Sequence, residues 1–455
     1  MTAPHRHTIG ITRRELIQVG YSGLLGLGLS KIAAASDQPS LSQRKKPKSL
    51  IIVFLTGAAS HLETWDPKPD APPEIRGELG SIQTKTPGLL ACEYLPKLAA
   101  RSDKFAVIRS LAHRENNHLV ATHHVLTGHQ QPGAFFDKIA SRDDFPNYAA
   151  GRSYHHRPPE GTPCGVNLPT YLMQGPLLWP GQYAGFLGPK HDIMQVNDDP
   201  NKPDFRIDNL RPAQGMDVDQ LKDRMALLEA VNSQQRWLSE SAETKKMSDQ
   251  QQQAVSVLTS GKVARAFDID REPATVRDKY GRHAFGQSIL LARRLVEAGV
   301  PVVQANMGRV QNWDTHGDNF KRMKNELLPP VDRGVSALLD DLSDRGMLED
   351  TMVMVLGEFG RTPKVDNKNA GRDHWAACFC GLFAGAGIQP GQVIGKSDKS
   401  GGYPSTTPYS PDDIGATVYS VLGVDPHAEV RDRLNRPVQL NRGRVITSLF
   451  DGKGE

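Results

Sequence analysis

The run Leu50-Ile51-Ile52-Val53-Phe54-Leu55 is continuous, β-branched and stopped by Thr56-Gly57. A strand with one wet face alternates apolar and polar residues, so an unbroken run of this kind predicts a strand buried on both faces, as in a parallel sheet covered by helices. Phe105-Ala106-Val107-Ile108, Val300-Pro301-Val302-Val303-Gln304, Met352-Val353-Met354-Val355-Leu356 and Gly381-Leu382-Phe383-Ala384 have the same character. Between them lie helical patterns over Ser288 to Ala298, Val331 to Leu342 and Pro411 to Leu422. Strands alternating with helices predict an α/β fold with a mainly parallel sheet and helices on both faces.

The composition fits that class. With 455 residues, 38% of them hydrophobic, the chain can bury a large core and is neither disordered nor disulfide-stapled. The net charge is +4, of which +3 falls in residues 1–35, where Arg6, Arg13, Arg14 and Lys31 face only Glu15. The remainder is too balanced to suggest a nucleic-acid partner.

Thr12-Arg13-Arg14-Glu15-Leu16 opens a Gly-rich apolar stretch to Leu29, and Ala33-Ala34-Ala35 follows. Charge, apolar run and small-residue exit in that order predict a twin-arginine export signal over residues 1–35, then a linker over 36–48 and one domain over 49–455. The apolar stretch is shorter than the ~20 residues a membrane span needs, and no later stretch is long enough, so the mature chain is expected without a transmembrane anchor, periplasmic or extracellular. Two insertions are expected: a loop-rich one near 132–208 over the sheet edge, and a polar helical one near 217–258. Cys92, Cys164, Cys378 and Cys380 read as buried free thiols, with no pairing that sequence can assign.

Ligands of open α/β sheets gather at the carboxyl ends of strands. Four polar clusters lie there: Ser60-His61-Leu62-Glu63-Thr64-Trp65-Asp66; Asn312-Trp313-Asp314-Thr315-His316; Gly357-Glu358-Phe359-Gly360-Arg361-Thr362-Pro363; and Gly371-Arg372-Asp373-His374-Trp375. A mixture of carboxylate and imidazole converging from several loops is what a divalent cation such as zinc, calcium or manganese requires. A fifth cluster, His113 to His129, holds His113, His118, His123, His124 and His129, of which helical geometry lets one or two share a site. No His-x-x-x-His helix and no Gly-x-Ser-x-Gly elbow is present, and the Gly391 to Ser397 segment lacks the first glycine of a phosphate-binding loop.

On these segments, together with Gly185-Phe186-Leu187-Gly188-Pro189, the chain from about Ser49 to Leu449 resembles the exported bacterial family called domain of unknown function 1501, abundant in planctomycetes and placed in the alkaline phosphatase and sulfatase superfamily. The resemblance implies an alkaline phosphatase-like three-layer α/β sandwich with metals held at the strand ends. It also implies in-line attack on a phosphate or sulfate ester. Carried onto this chain, it makes Asp314, His316, Glu358, Asp373 and His374 the metal ligands. Arg361 and His61 become contacts for the anion, and Ser60 or a water the attacking group. The sulfatase nucleophile position falls on His118, without the surrounding Cys-x-Pro-x-Arg pattern. The chain also has Gly57-Ala58-Ala59-Ser60 where the family usually places two glycines and a proline before its serine, and Phe359 where a further ligand commonly stands.

Three readings follow. The first is an exported metal-dependent hydrolase acting on an anionic small-molecule or polysaccharide ester. The second is a non-catalytic envelope protein that binds a sulfated glycan or a protein partner. In the third, the acid–histidine pairs are satisfied surface groups of a structural protein.

Overall fold

Every residue of β1 (Ser49–Phe54) is buried, and its two faces feed different cores. Ile51 and Val53 pack into one hydrophobic cluster, while Leu50, Ile52 and Phe54 pack into a second on the opposite side. This is the period-2 geometry of a strand with no wet face.

A computed structural model describes residues 49–132, 139–158, 161–203, 205, 261–308, 312–366 and 368–452. Seven more strands join the central sheet: β2 (Ala106–Leu111), β3 (Val166–Leu168), β4 (Met194–Gln195), β5 (Val302–Asn306), β6 (Thr351–Leu356), β7 (Phe379–Ala384) and β8 (Gln392–Ile394). The spatial order is β8-β2-β7-β6-β1-β5-β3-β4. β7 runs antiparallel to both neighbours and every other pairing is parallel. Five of these strands lie on the apolar runs read from the sequence.

Five helices complete the sandwich: α1 (His118–Thr127), α2 (Tyr148–His155), α3 (Ala284–Glu297), α4 (Leu328–Asp344) and α5 (Pro411–Val421). Leu290, Leu291 and Leu295 of α3 and Val335, Leu338 and Leu339 of α4 share the cluster of Ile51 and Val53. Val125 of α1, Tyr148 of α2 and Val418 of α5 share the cluster of Leu50 and Phe54. The architecture is thus the mixed α/β sandwich expected, helices on both faces of a mostly parallel sheet.

Caps explain the helix starts. His283 accepts a hydrogen bond from the Gly286 N–H, which starts α3 four residues ahead of the apolar pattern. Ser410 and Asp413 form a reciprocal capping box before Pro411 of α5.

The segment near 132–208 does more than cover the sheet edge. It supplies α2, the strand β3 and the edge strand β4, whose short runs carry too little periodicity to be read in isolation. The leader, the linker and the insertion near 217–258 lie outside the described residues. All four cysteines are free thiols, Cys380 half-buried and the others buried. No helix among the described residues is long and apolar enough to cross a membrane.

Candidate metal centre

β1, β5 and β6 are parallel neighbours, so the loops leaving their carboxyl ends are brought together at one edge of the sheet. Backbone bonds then stitch those loops. The Trp313 N–H donates to Thr56 O (2.9 Å), fixing the loop after β5 against the turn after β1. The segments 315–319 and 369–372 pair through Arg372 N–H to Thr315 O (3.0 Å), Asp318 N–H to Asn369 O (2.9 Å) and Asn319 N–H to Ala370 O (3.0 Å). Arg361 and His374 face each other in a short antiparallel pair. From the other core, Asn117 caps α1 by accepting from the Leu119 and Val120 N–H groups, which puts His118 in the first helical position.

The result is a cluster around the Asp314 carboxylate. His316 Nε2 lies 3.1 Å and His374 Nε2 3.2 Å from Asp314 Oδ1, and His118 Nε2 lies 3.3 Å from Oδ2. His316 and His374 bring their Nε2 atoms within 3.0 Å of each other. His118, Asp314 and His374 form a group whose donor atoms all lie within 4.8 Å.

The outer nitrogens are tied off. His118 Nδ1–H donates to Glu358 Oε1 (2.6 Å), His316 Nδ1–H to Asp373 Oδ1 (2.6 Å) and His374 Nδ1–H to the Asn116 carbonyl (2.7 Å). Each partner is an oxygen acceptor, so each neutral ring carries its proton on Nδ1 and turns the lone pair of Nε2 toward Asp314. Three lone pairs and a carboxylate facing one another repel unless a proton or a cation sits among them. His118 Nε2 is buried and faces the Asp314 carboxylate 3.3 Å away. The separations of His316 Nε2 and His374 Nε2 from each other and of each histidine from Asp314, 3.0–3.3 Å, are near the ~3.3 Å edge of a tetrahedron with metal bonds of about 2.0–2.1 Å, within a group of donors that spans up to 4.8 Å. This donor set therefore fits a divalent cation, with the tied outer nitrogens that metal-binding histidines use.

A proton can take the place of the cation. Burial acts to lower the pKa of His118, but the Asp314 and Glu358 carboxylates on either side outweigh burial and raise it to about 9, so in the metal-free centre a proton sits on Nε2 facing Asp314, and a bound cation would displace it. Burial acts to raise Asp314, yet His118, His374 and the Arg361 guanidinium hold it far below the usual carboxylate range. With all three rings neutral, as metal ligands must be, Asp314, Glu358 and Asp373 against Arg361 leave two negative charges, which a dication would balance. Side-chain exposure rises outward from 6% at His118 and 9% at Asp314 through 24% at His374 and 47% at His316 to 69% at Asp373, so the cluster opens to solvent on the His316 side.

The family model described as Protein of unknown function (DUF1501) matches residues 47–450. The chain belongs to this family. Among curated proteins, none matches the sequence of this DUF1501 chain. Solved structures it is similar to include Ps i-CgsB in complex with k-i-k-neocarrahexaose, at 12% identity and TM-score 0.42, covering 90% of this chain and 77% of that one. A second is the phosphonate monoester hydrolase SpPMH from Silicibacter pomeroyi, at 12% identity and TM-score 0.39, covering 90% and 78%. A third is a protein in the alkaline phosphatase superfamily from Vibrio parahaemolyticus, at 12% identity and TM-score 0.37, covering 91% and 75%.

The remaining site residues of this DUF1501 member stand further back. Glu358 and Asp373, expected as ligands, reach the cluster through His118 and His316 instead. Arg361, expected to face an anion, is fully buried among protein acceptors: Nε–H donates to Ala58 O (2.9 Å), Nη2 to Gly57 O and to Asp314 Oδ1 (2.6 Å), and Nη1 to Arg372 O (3.3 Å). It orients Asp314 rather than a ligand. Ser60 is fully buried in the turn after β1 and its hydroxyl has no hydrogen-bond partner, so it is not presented to a substrate. His61 is buried as well, with Nε2 2.8 Å from Gly401 O, and burial lowers its pKa, which keeps it neutral.

Phe359, at the place of a usual ligand, and residues not singled out from sequence hold the walls. The His118 ring is stacked between Trp179 (5.5 Å) and Phe359 (4.9 Å). Gln182 donates to the Trp179 and Leu172 carbonyls and accepts from Asn167, which in turn accepts from Asn306. Amides this far apart in sequence announce nothing individually. His118, the position where the resemblance puts the sulfatase nucleophile, stands instead beside Asp314 with its Nε2 3.3 Å from Oδ2.

Proposed function

We propose that this protein is an exported, metal-dependent hydrolase of sulfate or phosphate esters, acting on an anionic small molecule or polysaccharide. The observation that carries the reading is the convergence of His118, His316 and His374 Nε2 on Asp314, with every Nδ1 tied to an oxygen. A divalent cation held by these residues would polarise an ester oxygen and lower the pKa of a water at neutral pH. The protein's own groups do the rest. Arg361 and the stacked Trp179 and Phe359 hold Asp314 and His118 still, and the wall they form excludes water from the inner side. The solvent-facing Asp373, whose second oxygen is not tied to His316, gives the substrate side a carboxylate able to hold or pass a proton. Ser60 is sealed in its turn, so water is the attacking group in this reading.

The sealed serine also supports the rival reading, a non-catalytic envelope protein that binds a sulfated glycan or a protein partner through the same centre. Elemental mass spectrometry on protein purified without chelators, beside His118→Ala and Asp314→Ala, tests the centre. Near-stoichiometric metal lost in both folded variants, with turnover of sulfate or phosphate esters, is the expected result. Metal without turnover on any ester tested would favour the binding protein, and no metal would end the hydrolase reading. The twin-arginine leader is tested by Arg13→Lys/Arg14→Lys, which should leave the precursor in the cytoplasm.

A further inference from the structure

Glu358 is the one fully buried carboxylate at the centre, and none of its oxygens points inward. Oε1 accepts from Gly57 N–H (3.0 Å) and from His118 Nδ1–H (2.6 Å). Oε2 accepts from Gly57 N–H (3.2 Å) and Ala58 N–H (3.1 Å). The two amides form a small anion-binding concavity because Gly57 and Ala58 both have positive φ, 101° and 68°. For alanine this conformation is costly and persists where surrounding contacts impose it. The backbone of Glu358 is held too, since His113 Nε2–H donates to its carbonyl (2.7 Å).

Were Glu358 to turn inward as a ligand, two buried N–H groups would lose their acceptor, at ~1–3 kcal/mol each, and His118 would lose the partner that fixes its proton on Nδ1. We infer that Glu358 is a positioning residue: held by the Gly57–Ala58 amides, it fixes the ring orientation and tautomer of His118 and thereby sets the cation affinity of the centre. This rests on the metal reading above. It adds that the acid after β6 acts through histidine and never through the cation, and that the turn after β1 is an anchoring part of the centre.

The test uses full-length mature protein, with zinc affinity measured by competition against a chromophoric chelator and visible spectra of the cobalt-loaded protein. Glu358→Gln keeps the shape but loses the charge. It should weaken zinc binding by about 10–100-fold, the usual effect of an outer partner of a metal-binding histidine, while the cobalt bands persist with altered intensity. Glu358→Asp keeps the charge on a shorter arm and should recover part of the affinity. Thermal unfolding of the metal-free proteins separates positioning from plain stability, because a merely structural role would lower the melting temperature and leave the affinity of the folded variant unchanged. Wild-type zinc affinity in folded Glu358→Gln would overturn the proposal. Complete loss of the cobalt bands, equal to that in Asp314→Ala, would also overturn it by making Glu358 a ligand. Absence of binding in the wild type would overturn the metal reading itself.

Discussion

Gly371 has no functional group, yet replacing it by alanine should damage the centre. A Cβ there would lie 1.9 Å from His316 O and 2.7 Å from Gly317 N, both backbone atoms that cannot swing aside. Ordinary contact begins near 3.4 Å, so segments 315–319 and 369–372 must part by about 1.5 Å. That strains or breaks the bonds from Arg372, Asp318 and Asn319 across the seam. At ~1 kcal/mol net for each hydrogen bond, the metal-free protein should lose ~2–3 kcal/mol. The same displacement separates Asp314 and His316 from His374, whose spacing must hold to about 0.2 Å for coordination. Zinc affinity should therefore fall by about 100-fold or more. Urea unfolding of the metal-free protein and chelator competition read the two effects separately. Gly317→Ala is the control: in the same loop, its Cβ would meet nothing nearer than 3.7 Å and should change little. A Gly371→Ala protein with wild-type urea midpoint and wild-type zinc affinity would refute the idea that the seam sets the donor spacing.

Other expectations follow from the same geometry. Three imidazole nitrogens and one carboxylate suit zinc or a similar transition ion better than calcium, which takes six to eight oxygens. Dialysis against equimolar zinc and calcium should leave zinc alone on the protein by elemental analysis, and equal calcium occupancy would contradict the donor set. Arg372 and Glu63 form a fully buried pair (2.7 Å). Arg372→Met should destabilise by about 3–5 kcal/mol in urea because it strands the Glu63 charge, and adding Glu63→Leu should recover most of the loss. Burial pushes His113 down to about 3 and His129 down to about 4. Below their unfolded value of ~6.5 the unfolded chain takes up protons that these folded rings refuse, so stability should fall as pH drops from 6.5 toward 4. Each ring should add a slope approaching ~1.4 kcal/mol per pH unit. His118, raised instead, contributes constant stability in that window. A urea midpoint flat between pH 6.5 and 4.5 would contradict the buried, neutral state of His113 and His129.

The sheet was legible in the sequence because strands buried on both faces leave continuous apolar runs, and β1 and β6 coincide with theirs to within a residue. β3 and β4 were not, since strands of three and two residues are defined by the neighbour they pair with. At the site, position could be read and direction could not. Strand-end clusters brought Asp314, His316 and His374 together as their order suggests. Whether Glu358 and Arg361 face a ligand or the protein depends on amides and carbonyls some 300 positions away, at Gly57 and Ala58. His118 was harder still, because it reaches the cluster from a helix on the sheet's other flank.

The donors come from positions 118, 314, 316 and 374, and the hydrogen bonds that aim them come from residues as early as Gly57. No fragment short of nearly the whole domain contains them all in register, and an unfolded chain would offer them only at the entropic expense of closing loops some 60 to 200 residues long. A cation captured here is therefore a report that the first strand, the helix face and the late loops have all docked. Because binding favours only that completed state, each tenfold excess of ion over its dissociation constant adds about 1.4 kcal/mol to the folded side. Such a centre would make metal supply a checkpoint on folding as well as a requirement of chemistry.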